Sequence, residues 1–145
     1  MYRYIVGMAD TKSEIGRLVA AASEQIDLHI IKLLLMPESN DANHWKQEIY
    51  SFLRNVNRLK SSKKWPEFDF LLERISCHED IVENLRFLVE QDYPAALQSN
   101  VSNNDIIKAF QEYHHFLAAG LSSKGVIGRQ DCYDVLDNIV DKYSK

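Results

Sequence analysis

Four side chains in this sequence have the type and spacing for metal or acid–base chemistry: His29, His44, Glu48 and His114. His44 and Glu48 stand four residues apart, so on a helix both reach one ligand. His29 falls inside an apolar stripe, and His114 flanks another. Where long helices meet, imidazoles and a carboxylate can converge on a divalent metal, as bundle-core sites do. The simpler expectation is structural, with no cofactor. A lone core-facing histidine bonds a carbonyl or carboxylate, and His44 helps cap the first turn of its helix.

Cys77-His78-Glu79-Asp80 places a thiol beside an imidazole, but adjacent positions on a helix do not face each other. Glu79 and Asp80 suit the first turn of a helix, where acids complement the macrodipole. Glycine-rich phosphate loops, HExxH, GxSxG and EF-hand loops are absent. The helical HEPN ribonucleases need an arginine and a following histidine with four to six residues between them. Here Arg74 precedes His78 with only three residues between them, so that chemistry is excluded.

Charge is unevenly placed along a chain whose formal net charge is −4. Between residues 46 and 64, Lys46, Arg54, Arg58, Lys60, Lys63 and Lys64 face Glu48 alone. Between 67 and 92, eight acids, among them Glu79, Asp80 and Glu83, stand against Arg74 and Arg86. The basic stretch predicts a ridge for RNA, with Trp45 and Trp65 beside Arg54, Arg58, Lys63 and Lys64. The acidic stretch predicts a face for a basic protein partner. Solvated helix exteriors would show the same pattern, and that reading carries more weight.

The elements that position these groups read as helices. After Thr11-x-x-Glu14, which has capping-box spacing, apolar residues recur at Ile15, Leu18, Val19, Ala22, Ile26, Ile30, Leu33 and Leu34. Leu28, Ile31 and Leu35 make the last turns apolar all round, and Pro37 ends the helix. A second helix, capped by Asn40 or Asp41, carries Trp45, Ile49, Phe52, Val56 and Leu59, with Leu53 at the edge. Pro66 opens a short third helix, and a fourth runs from about His78 to Gln91 with Ile81, Leu85, Leu88 and Val89. Pro94 starts a helical turn or a loop.

Ser102 caps a fifth helix bearing Ile106, Ile107, Phe110, Tyr113, Leu117 and Leu121. The last, from about Arg129 to Tyr143, sets Val135, Leu136, Ile139, Val140 and Tyr143 opposite Asp134, Asp137 and Asp141. Only Tyr2 to Val6 resembles a strand.

His29-Ile-Ile-Lys32, Pro37 and Trp45-Lys-Gln-Glu-Ile49 resemble a bacterial family catalogued as a domain of unknown function, the twenty-ninth of that series. The family's pattern is His-Leu-Leu-Lys, Pro and Trp-x-x-x-Ile, and the gap from Pro37 to Trp45 is one residue longer here. The resemblance covers about 20 residues and implies a helical bundle without an assigned activity. It marks His29, Lys32, His44 and Trp45. Lys32 near a helix C-terminus and Trp45 as a core anchor also have plain physical roles.

With 145 residues, 46% of them hydrophobic and 26% charged, the chain has the size and composition of one folded domain. We expect an all-α, single-domain bundle of five to seven helices over residues 1–145, with 1–9 as an N-terminal arm. Two cysteines without framework spacing, no leader pattern and no long apolar run predict a cytoplasmic protein without a membrane partner. The functional expectation is a non-enzymatic interaction or regulatory module, of the antitoxin or immunity-inhibitor kind, that binds another protein or itself. The alternatives are the His/Glu metal bundle, as binder or enzyme, and RNA binding through the second helix.

Overall fold

In a computed structural model, residues 11–58, 67–75, 79–122 and 126–144 are described. Among them are six α-helices and no strand: α1 (Thr11–Leu35), α2 (Ala42–Arg58), α3 (Phe68–Ile75), α4 (Glu79–Asp92), α5 (Asn103–Ser122) and α6 (Arg129–Tyr143). A 3-10 turn, Pro94–Gln98, links α4 to α5, its proline supplying a first-turn position that needs no amide hydrogen. The expected all-α bundle is what forms. The arm at residues 1–9 and the Tyr2–Val6 segment lie outside the described residues.

Local chemistry sets the helix ends. The Met36 amide still bonds the Lys32 carbonyl before Pro37 stops α1. The Asp41 amide donates to Ser39 Oγ, and the Asp41 carbonyl accepts the first bond of α2 from Trp45. Ser102 Oγ accepts the Asp105 amide at 3.1 Å, a side-chain N-cap on α5.

α1 packs against each of the other five helices, and α5 packs against α1, α3, α4 and α6. One continuous core follows, built on Ile26, Ile30, Leu34, Ile49, Leu53, Leu71, Phe110, Tyr113 and Leu117. In α1 most of the expected stripe, Ile15, Val19, Ile26, Ile30, Leu33 and Leu34, is buried; the buried arc extends past it through Ser23 and Asp27 to Ile31, and Leu18 is exposed. The stripe of α4 is rotated from its expected position. In α4 the buried residues are Val82, Leu85 and Val89, while Ile81 and Leu88 face solvent. On α2, Leu53 is buried and Phe52 only partly so.

Candidate functional site

The four residues with metal-binding spacing do not come together. His44 Nε2 and Glu48 Oε1 meet at 3.2 Å across one turn of α2, as their spacing requires, with the imidazole well exposed. His29 lies across the α1–α2 hairpin, half-buried, tilted against the Phe52 ring at 5.7 Å. Its Nδ1 bonds the Gln25 carbonyl at 2.8 Å. Burial lowers its pKa against the opposing pull of the Gln25 hydrogen bond, and the Lys32 charge acts in the same direction as burial. His114 is elsewhere, in the core between α5 and α1, where Nε2 meets Asp27 Oδ1 at 2.7 Å. No group of three or more His, Cys, Asp or Glu among the described residues is placed to hold a metal ion.

The Asp27–His114 pair is the group that the sequence does not announce. Both residues are almost fully buried, and Phe110 stacks on the imidazole at 5.5 Å. Burial raises the Asp27 pKa against the opposing pull of the His114 hydrogen bond. One turn earlier on α1, the Ser23 hydroxyl is buried without a hydrogen-bond partner. On α6, Cys132 Sγ lies 3.7 Å from the Tyr113 hydroxyl, and burial pushes its thiol up to about 11. The thiol therefore stays protonated at neutral pH, which rules it out as a ready nucleophile.

The basic ridge is divided. Arg54 and Arg58 are exposed on α2, but Lys63, Lys64 and Trp65 lie outside the described residues. Lys46 is committed to Asp137 on α6 at 3.1 Å. Trp45 does not join the ridge: it is buried, with its ring edge-on to Tyr93 at 5.6 Å, because an indole of that size anchors the hairpin to the core.

α4 carries the surface that departs furthest from an ordinary solvated helix. Phe87 is 58% exposed, Leu88 49% and Ile81 39%. Exposed Glu83 stands on the same helix, exposed Asp92 ends it, and Glu79 and Asp80 occupy its first turn, their side chains outside the described part. The one cation of α4, Arg86, is turned away from this face. Its guanidinium donates to the Val101 carbonyl at 2.6 Å, to Asn103 Oδ1 at 2.9 Å and to Glu90 at 3.2 Å. Exposed Leu97 follows in the 3-10 turn.

Compared with known proteins, the chain matches no family model and shows no significant similarity to any curated protein or solved structure. No helix among the described residues is long and apolar enough to cross a membrane.

Proposed function

We propose that this protein is a non-enzymatic interaction module that docks a basic, amphipathic segment of another protein on α4. The observation that supports this reading is the exposed Ile81, Phe87 and Leu88 on a helix where Glu83 and Asp92 face water and whose only cation is turned inward. Aromatic and aliphatic anchors carry most binding energy, and surrounding acids steer a basic partner. Restraint of a basic effector, in the manner of an antitoxin or immunity protein, is the regulation such a surface suits.

The test uses a labelled synthetic helix with leucines on one face and lysines on the other, followed by fluorescence anisotropy. Phe87→Ser with Leu88→Ser should weaken binding at least tenfold, and Glu83→Lys should slow association at low salt. Equal binding by the serine variant would remove α4 as the docking surface.

A further inference from the structure

α4 leaves a line of side chains uncovered. Ile81, Asn84, Leu88 and Gln91 are all exposed, and they stand at i, i+3, i+7 and i+10. At about 100° per residue they share an arc of about 80° over about 15 Å of helix. Val82, Leu85 and Val89 are buried on the neighbouring arc, so the packing of α4 fixes which line faces out. Phe87 stands at one flank with exposed Glu83 beyond it, and exposed Asp92 stands at the other. Along the line the chemistry alternates, aliphatic at Ile81 and Leu88, amide at Asn84 and Gln91.

Successive steps of this line climb roughly 4.5 and 6 Å in turn, the steps that one face of another helix also makes. A strand returns a side chain to one face only every ~7 Å and falls out of step with it. A second α4 would set Glu83 and Asp92 against the same acids, and an anionic lipid surface would meet them too. Building on the docking role proposed for α4, we infer that its occupant is a single α-helix of about three turns with basic flanks. That helix sets aliphatic residues on Ile81 and Leu88 and an amide or hydroxyl opposite Asn84. The polar position fixes the register, because a slipped helix leaves the Asn84 amide unpaired against hydrocarbon.

The experiment titrates three labelled peptides of equal charge, all lysine-flanked, against the full native chain and its Asn84→Leu variant. One peptide alternates leucine and asparagine along its seam, the second carries leucine throughout, and the third is the alternating peptide with a central proline. Fluorescence anisotropy reads affinity, and far-UV circular dichroism checks that the variant is folded. Asn84→Leu should weaken the alternating peptide about fivefold while leaving the all-leucine peptide bound as tightly or more so. The proline peptide should bind neither chain. Asn84→Leu shifting both peptides alike overturns the amide register, and full binding by the proline peptide overturns the helical occupant. In those two cases loss of binding on Phe87→Ser with Leu88→Ser keeps α4 as the docking surface. A native chain that binds none of the three overturns the inference together with the docking role.

Discussion

A carboxylate and an imidazole 2.7 Å apart in the core make the burial of each residue depend on the other. Asp27→Ala strands the His114 ring away from water and should cost about 3 kcal/mol, in the range for breaking a buried pair. Replacing both with leucine removes the unsatisfied group together with its partner and should cost less than the single change. Urea melts of the single and double variants measure this. Because burial raises the Asp27 pKa above 3.8, its contribution to stability is fully present below that value and is lost as pH rises through the folded-state value.

Glu112 behaves oppositely. Its pKa is lowered from 4.5, chiefly by the Tyr143 hydrogen bond, so its contribution is present above 4.5 and lost as pH falls through the folded-state value. Asp27→Asn and Glu112→Gln should therefore change the pH–stability slope with opposite signs, which denaturant midpoints across the acid range will read. Reactivity gives a further check. In a Cys77→Ser background, Cys132 should resist thiol reagents in the native state and react fully in denaturant, since its thiol is buried and raised to about 11. Asp27 was hidden from sequence reasoning by its type: a carboxylate beside Ile26 reads as the edge of a stripe, and only the partner 87 positions away makes its burial affordable.

Helix ends were more legible than helix faces. Pro37 and Ser102 mark ends by chemistry local to a few residues, and α6 runs over the residues its two-sided pattern predicts. The face of α4 is not local. Six apolar residues, Ile81, Val82, Leu85, Phe87, Leu88 and Val89, wrap so wide an arc that periodicity admits more than one orientation. What selects the observed one is Arg86, whose bonds to Val101 and Asn103 fasten α4 to the start of α5. Arg86→Met should cost about 1–3 kcal/mol and speed amide hydrogen exchange along α4 more than along α2. Gly120 is another constraint between elements. A Cβ there would collide with the Ile127 side chain, so Gly120→Ala should destabilise by about 1–3 kcal/mol in thermal melts.

At the scale of the molecule, α1 is the axis on which every other described helix leans. Its 25 residues span about 38 Å, enough to run the length of the core. Ile30 lies fully within that core, and Ile30→Ala should remove about 2–4 kcal/mol. In a Trp65→Phe background, tryptophan fluorescence, reporting the buried Trp45, and circular dichroism, reporting all helices, should then shift together; separate transitions would show that the α1–α2 hairpin unfolds on its own. The pair that joins α1 to α5 also constrains descent. Since losing either partner is costly and exchanging both is mild, a lineage can leave this arrangement only by two substitutions in close succession. Among sequences descended from a common ancestor with this one, positions 27 and 114 should change together or stay as they are.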